Sequence, residues 1–295
     1  MVMRYLIFLL FLISACGAGE PHPWEDLSMT GGCHEALIEQ AKKGSLAIPD
    51  VCETREARKA RHQGAQDDYL NLVRKSERQV AAGDHEGAIA TFDQLAVINP
   101  HDQVTYYNRG NSKLKLGHYE AAIADYDKAI SLDPNDPAYY YNRGNSYFRL
   151  KHYEEAIADY DKAISLNPDD ADSYFNRGYV NIELERFKEA LTDYDAYIVL
   201  IANDPRAHYQ RGKAKSGLGH YKAAIADFDY YIAAINDDSW AYYYRGKAKS
   251  GLGRYKAAIA DFDKSIELYD QFPDAYFERI NARRALKKLQ EAENN

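Results

Sequence analysis

Residues 137–170 contain two stretches in which apolar side chains recur at helical spacing. The first stretch carries them at Tyr140, at Gly144, and at Tyr147 or Phe148. The second carries Ala156, Ile157, Tyr160, Ala163 and Ile164. This spacing predicts two helices, each apolar on one face. Neither helix can bury that face alone, so we expect the two to pack against each other and against neighbouring pairs.

The same pattern returns every 34 residues. A small residue recurs as Gly110, Gly144, Gly178, Gly212 and Gly246. An alanine follows each glycine as Ala122, Ala156, Ala190, Ala224 and Ala258, and an aromatic residue follows each alanine as Tyr126, Tyr160, Tyr194, Phe228 and Phe262. Pro100, Pro134 and Pro168 close three of the periods. Self-similarity at this period is the signature of a repeat architecture.

These positions resemble the tetratricopeptide-repeat (TPR) family, which has a small residue at position 8, alanine at 20, an aromatic residue at 24 and proline at 32. Positions are counted from the first residue of each unit. The resemblance defines six full units of 34 residues: 69–102, 103–136, 137–170, 171–204, 205–238 and 239–272. A partial seventh unit, 273–295, supplies one capping helix. The first unit departs by having Ser76 at position 8. The resemblance implies an all-α, right-handed helical solenoid.

The resemblance also implies a concave face lined by the first helix of each unit, helix A, where a partner binds. Asparagines occupy position 6 in three consecutive units and position 9 in two of them: Asn108, Asn142, Asn176, Asn111 and Asn145. A primary amide can both donate to and accept from a peptide bond, so this row can hold an extended chain. The alternative is that the amides only bridge neighbouring helices. Aromatic residues beside the row provide an apolar floor: Tyr107, Tyr141 and Phe175. Further along, Arg206, Lys213 and Lys247 make the groove basic, which suits acidic residues or a terminal carboxylate of the partner.

An arginine precedes each of the five repeated glycines, and each of these units contains an Asp-aromatic-Asp sequence. Because positions 7 and 25 lie at one level of an antiparallel helix pair, we expect Arg109 to meet Asp127 and Arg143 to meet Asp161. As surface ion pairs, these would each contribute little to stability.

The N-terminus has the layout of a secretory signal peptide, with Arg4 before an apolar run from Tyr5 to Ile13. The following Ile13-Ser14-Ala15-Cys16-Gly17 resembles the lipobox of bacterial lipoproteins. It implies removal of residues 1–15 and acylation of Cys16, with Gly17 favouring the outer membrane. The alternative is ordinary cleavage after Ala18, which would leave a secreted or periplasmic soluble protein.

Cys33 and Cys52 are the remaining cysteines. In an exported protein they favour a disulfide, with two free thiols as the alternative. Residues 16–32 are then a tether, and residues 33–68 a small helical cap that ends in a charge-rich helix.

The chain of 295 residues has a net charge of 37 − 45 = −8. Its acidity and lack of a basic block argue against a nucleic-acid binder. Motifs for nucleophilic, phosphate-binding or metal-dependent catalysis are absent from the sequence. We therefore expect no enzyme activity, cofactor or metal. The sequence favours an exported, membrane-anchored adaptor or scaffold that holds a protein or peptide partner, for envelope assembly or for localising another protein. The alternatives are a self-associating structural scaffold and, less favoured, an enzyme with an unrecognised site.

Overall fold

The computed structural model describes residues 55–293 of the chain. The chain divides into two compact units, Met1–Asn71 and Leu72–Asn295. Of the first unit, the structure describes residues 55–71, which are helical. The described residues do not include the predicted signal peptide, Cys16, the predicted tether, Cys33 or Cys52.

Thirteen α-helices and no strand make up the part of the chain that the structure describes. They are α1 (Arg55–Ala81), α2 (His85–Ile98), α3 (Gln103–Lys115), α4 (Tyr119–Leu132), α5 (Pro137–Arg149), α6 (Tyr153–Leu166), α7 (Ala171–Glu183), α8 (Phe187–Leu200), α9 (Pro205–Gly217), α10 (Tyr221–Ala234), α11 (Ser239–Gly251), α12 (Tyr255–Leu268) and α13 (Pro273–Glu293). The junction expected between residues 68 and 69 falls within α1, which is continuous.

Local sequence signals start and stop these helices. Asp102, Asp136, Asp204 and Asp238 each accept a hydrogen bond from the backbone N–H two residues later, which satisfies a free donor at the start of a helix A. The turn between the two helices of a unit needs a left-handed residue at position 15. Glycine supplies it with φ of 72–81° in four units. Lys151 and Glu185 adopt φ of 62° and 55° at the same position.

The repeated glycine, alanine and aromatic residues form the contact between the two helices of each unit. Ala122, Tyr126 and their counterparts through Phe262 are fully buried. A Cβ atom added at Gly246 would lie 2.7 Å from the Phe262 ring, and one at Gly144 would lie 3.0 Å from the Tyr160 ring. The small residue at position 8 is therefore required because the aromatic ring at position 24 packs against its backbone.

Successive pairs stack along the chain, and helix A of each unit from α3 to α11 also touches helix A of the next. Among the described residues, the B helices make no comparable contact with each other. The A helices therefore lie closer together and line the inner side of the stack. The expected all-α TPR solenoid is confirmed.

The expected ion pairing was wrong in its partners. Arg109 binds Asp125 at position 23 of its own unit (Nε to Oδ2, 2.9 Å) and Asp93 at position 25 of the preceding unit (Nη1 to Oδ1, 2.7 Å). Asp127 instead binds Arg143 of the next unit. The carboxylate at position 25 points across the boundary between units, so each arginine joins two units.

The pair that each arginine forms within its own unit is also more buried than expected. The Asp125 side chain is 5% exposed, whereas the Asp93 side chain is 59% exposed. The series continues to the last boundary, where Arg279 of α13 binds Asp263. The pair between positions 7 and 23 is therefore a buried charge pair. Removing one of its partners destabilises the protein more than removing a partner of a surface pair.

Candidate functional site

The inner wall carries the predicted asparagines and aromatic residues on successive A helices, and hydrogen bonds join them from unit to unit. Asn142 Nδ2 donates to the Tyr107 hydroxyl at 3.0 Å, and Asn176 Nδ2 donates to the Tyr141 hydroxyl at 3.1 Å. Position 6 of one unit thus binds position 5 of the preceding unit. We call this series the amide–tyrosine ladder.

Buried tyrosines support the ladder from helix B. The Tyr126 hydroxyl donates to Asn111 Oδ1, and the Tyr160 hydroxyl donates to Asn145 Oδ1, both at 2.8 Å. Asn145 Oδ1 also accepts from Asn176 at 2.9 Å. The asparagines at position 9 therefore connect the inner wall to the core between the two helices.

The ladder leaves part of its hydrogen-bonding capacity unused. Both Nδ2 hydrogens of Asn142 are engaged, one with Tyr107 and one with the carbonyl of Ala138, while its Oδ1 has no partner among the described residues. Asn176 likewise donates both Nδ2 hydrogens, to Tyr141 and to Asn145, and its Oδ1 has no partner among the described residues. The side chain of Asn108 makes no hydrogen bond to any described residue. These half-buried amides can still accept N–H groups.

The ladder stops in the fourth unit because two residues change. Phe175 stands where Tyr107 and Tyr141 carry hydroxyls, and Tyr179 stands where Asn111 and Asn145 carry amides. Consequently the Tyr194 hydroxyl has no amide at position 9 to donate to, and it is buried without a hydrogen-bond partner in the described chain. Gln210 Oε1 is also buried without a partner there.

The three predicted cations of the groove differ in their surroundings. Arg206 is exposed and bound to Asp204 (Nη2 to Oδ2, 2.6 Å), and its guanidinium lies 5.7 Å from the Phe175 ring centre. Lys213 and Lys247 form no ion pair with described residues. Their ammonium groups lie 5.5 Å and 5.4 Å from the ring centres of Tyr244 and Tyr243.

Burial shapes the electrostatics of this stretch. It lowers the pKa of Lys213 from its ordinary value, because the half-buried ammonium loses water, and Glu183 opposes that shift. Burial also raises the pKa of Tyr244, and it raises that of Tyr243 to about 12. Tyr243 and Tyr244 are therefore neutral at physiological pH.

Sequence reasoning did not select Gln210, Tyr244 or Glu183. The signal available was their place at positions 6, 6 and 13 of their units. No group of acidic, histidine or cysteine side chains within residues 55–293 could hold a metal ion. None of the described helices is both long and apolar enough to cross a membrane.

The helix pairs, their 34-residue period and the inner wall define a helical-repeat scaffold. The sequence matches family models described as TPR repeat over residues 110–151 and 144–184, and as Tetratricopeptide repeat over residues 171–203 and 241–272. The chain therefore contains tandem tetratricopeptide repeats and folds as a TPR solenoid. A search of curated proteins gives no match.

Solved structures with the same fold include YrrB, described as a TPR protein with an unusual peptide-binding site. YrrB is 27% identical with a TM-score of 0.59, over 63% of this chain and 96% of its own. A tetratricopeptide repeat protein from Parabacteroides merdae ATCC 43184 is 23% identical with a TM-score of 0.60, over 77% of this chain and 93% of its own. MamA from Desulfovibrio magneticus RS-1 is 23% identical with a TM-score of 0.55, over 58% of this chain and 97% of its own.

Proposed function

We propose that this protein is an exported, membrane-anchored adaptor that holds an extended peptide segment of a partner protein against its inner wall. The observation that carries the proposal is the unused acceptor capacity of the amide–tyrosine ladder. Asn142 and Asn176 are held in place by their own N–H donors, and their Oδ1 atoms keep free lone pairs.

A fixed amide loses little conformational freedom when a ligand binds, so its hydrogen bonds contribute more to affinity. Acceptors repeated along the wall suit the main-chain N–H groups of an extended segment, without requiring particular side chains. Tyr107, Tyr141 and Phe175 give the same wall aromatic surface, a common source of binding energy. TPR proteins bind protein or peptide partners, and YrrB is described as having a peptide-binding site. Both support the proposal.

The test separates binding by the amides from bracing by the amides. Random-peptide display on the purified full chain selects ligands, and calorimetry measures their affinity. Asn142→Ala with Asn176→Ala removes both the acceptors and the bonds between units. The matched variant, Tyr107→Phe with Tyr141→Phe, removes the two amide–hydroxyl bonds between units and leaves the acceptors, together with the Asn176–Asn145 bond, in place.

We expect the asparagine variant to lose about tenfold in affinity and the tyrosine variant to lose much less. Far-UV circular dichroism checks that both variants remain helical. Equal losses in the two variants would show that the ladder only braces the helices. Failure to select any peptide would contradict the function itself.

Export and anchoring rest on the N-terminal sequence, with Cys16 as the acylated residue and the periplasmic face of the outer membrane as the location. Several acyl chains on one residue hold a protein firmly to a membrane. Mass spectrometry of the mature N-terminus tests this. A diacylglyceryl-modified Cys16 supports anchoring, whereas an unmodified start at Gly19 would indicate a soluble exported protein.

Self-association is the second candidate function, and the surface of α13 favours it. Phe277 and Ile280 are 62% and 43% exposed there. Ile280 occupies the position where five of the six full units have glycine, so a further B helix cannot pack as it does against those glycines. Light scattering of the chain without its anchor tests this candidate: a mass that rises with concentration supports it, and a constant monomer mass argues against it.

A further inference from the structure

The fourth to sixth units differ from the ladder in having fully buried polar atoms without partners. Four buried side-chain atoms that lack a hydrogen-bond partner lie in α8, α9 and α11: the Tyr194 hydroxyl, Gln210 Oε1, the Ser216 hydroxyl and the Ser250 hydroxyl. The described side chains of α3 to α7 contribute none. Buried polar groups in native proteins are nearly always satisfied by protein or by water, so these atoms mark the stretch of the solenoid where hydrogen bonding within the chain is incomplete.

Two of these groups are directed toward the inner wall. Tyr194 corresponds to Tyr126 and Tyr160, whose hydroxyls reach the side chain at position 9 of helix A. Gln210 corresponds to Asn142 and Asn176, which bridge to the preceding helix A. Gln210 Oε1 can only accept a hydrogen bond, so its missing partner is a donor.

The lysines on helices α9 and α11 fall into two classes. Lys215 and Lys249, at position 11, bind Asp227 and Asp261 at 2.7 Å and 2.6 Å. Lys213 and Lys247, at position 9, have no carboxylate within ion-pair distance in the described chain. Lys213 is half-buried and Lys247 is exposed. Each ammonium lies over an aromatic ring and lacks a counter-ion, which makes it a ready binding group for an anion.

The surrounding carboxylates do not neutralise this pair. Glu183 is exposed and acts on Lys213 from beyond ion-pair distance. Asp274 and Glu278 act on Tyr243, over which Lys247 lies. These acidic groups lower the affinity for an anion, and they offer a way to test it.

We propose that Gln210, Lys213, Tyr244 and Lys247, which we call the lysine subsite, bind an acidic stretch within the partner peptide. Side-chain carboxylates of the peptide bind the Lys213 and Lys247 ammonium groups, and a main-chain N–H donates to Gln210 Oε1. This inference rests on the proposed peptide-binding function and assigns the chemistry of the partner.

The spacing of the lysines indicates the spacing of the acidic residues. Helices α9 and α11 are in contact, and packed helix axes lie about 8–10 Å apart. Alternate residues of an extended peptide point to the same side and lie about 6.6 Å apart. The spacing of the helices is larger than the spacing of alternate peptide residues, and two flexible lysine side chains can span the difference between these distances. Acidic residues at alternate positions of the peptide therefore match the subsite.

The experiment uses calorimetry with the full chain and short synthetic peptides in which alanine alternates with glutamate, glutamine or lysine. Acetyl and amide caps remove the terminal charges, so that only side-chain carboxylates are tested. We expect the glutamate peptide to bind, with an affinity that falls as salt is added, and to bind better than the other two.

Lys213→Gln with Lys247→Gln should weaken the glutamate peptide at least about tenfold. The matched control is Lys222→Gln with Lys256→Gln, which removes the same charge from exposed lysines on α10 and α12 and should change little. Glu183→Gln should tighten binding about twofold, because it removes a competing carboxylate without altering a buried residue.

If the inner and outer lysine variants weaken binding equally, the protein's overall charge explains the binding, and the subsite is refuted. Preferential binding of the glutamine or lysine peptide would keep the peptide-binding function and refute the acidic specificity. If none of the three peptides binds but display selects others, the subsite alone fails. If display also selects none, the function fails with it.

Discussion

The buried carboxylate at position 23 has a different set of cations in different units. In three units a lysine at position 11 binds the carboxylate of its own unit at 2.6–2.7 Å, in addition to the arginine at position 7: Lys113, Lys215 and Lys249. The fourth unit has Asn181 at position 11, which donates to Asp193 Oδ2 at 3.0 Å. Asp193 therefore has one cation fewer in its own unit, although its side chain is only 3% exposed.

The pKa of the position-23 carboxyl depends on how many cations bind it. Burial raises the pKa of Asp193 above its ordinary value despite its hydrogen bonds with Arg177 and Asn181. Burial opposes ionisation of Asp227 as well, but Arg211 and Lys215 outweigh it and lower the pKa. Because the pKa of Asp193 is raised on folding, the native state loses stability as the pH rises through that pKa.

We therefore predict that Asn181→Lys stabilises the protein at neutral pH. A cation within hydrogen-bond distance favours the ionised carboxylate by about 1.4 kcal/mol or more. Burial of the ammonium offsets part of this, so the expected gain is about 1 kcal/mol. Urea unfolding followed by circular dichroism measures it. The gain should begin to shrink as the pH falls through the raised pKa of Asp193 in the unchanged protein, and it should disappear only well below the ordinary carboxyl value of about 4, where the carboxyl is protonated in the variant as well.

Two further variants decide whether the added cation is the cause. Ala226→Lys adds the same charge at an exposed site on α10 and should leave the unfolding free energy nearly unchanged. Lys215→Asn should destabilise the fifth unit by a similar amount and raise the pKa of Asp227. A gain from Asn181→Lys that persists at low pH, or that Ala226→Lys reproduces, would refute the reasoning.

Three other substitutions test the geometry of the repeats by thermal or urea unfolding. Lys151→Gly should stabilise by up to about 1 kcal/mol, since it relieves a left-handed backbone, partly offset by the freer unfolded chain; no change would mean that the turn is unstrained. Gly246→Ala should destabilise by about 1–3 kcal/mol, because the new Cβ meets the Phe262 ring; a neutral result would mean that the ring can shift. Phe175→Tyr should stabilise by about 1 kcal/mol if its hydroxyl donates to Gln210, and a loss would mean that it cannot reach.

Much of the fold could be predicted because its determinants are local and repeated. Gly110, Ala122 and Tyr126 recur at fixed spacing, and one physical requirement, close helix contact filled by a ring, explains all three. The exchange of partners at Arg109 could not be predicted, because it depends on how far each unit rotates relative to the next. That rotation is set by packing across the boundary, which the sequence within one unit does not encode.

The candidate site was predicted in part for the same reason. Position within the unit sufficed to place Asn142 and Lys213 on the inner wall, but it could not show which of their atoms already have partners. Arg206 and Lys213 are both cations on the inner face of α9, yet Arg206 is bound by the Asp204 cap of its own helix and Lys213 has no such acid. Binding capacity is what remains after internal bonds are formed, and this requires atomic positions.

The differences between units therefore carry more functional information than the repeated residues. Residues at positions 8, 20 and 24 are constrained by helix contact and say only that a repeat is present. Positions 5, 6 and 9 can vary without disturbing that contact. The change from tyrosine to Phe175 and from asparagine to Tyr179 ends the ladder, removes the hydroxyl that would accept from the Gln210 amide, and is followed by Lys213. A single copied helix pair has in this way produced one wall with two binding chemistries, amide acceptors in the second to fourth units and unpaired cations in the fifth and sixth.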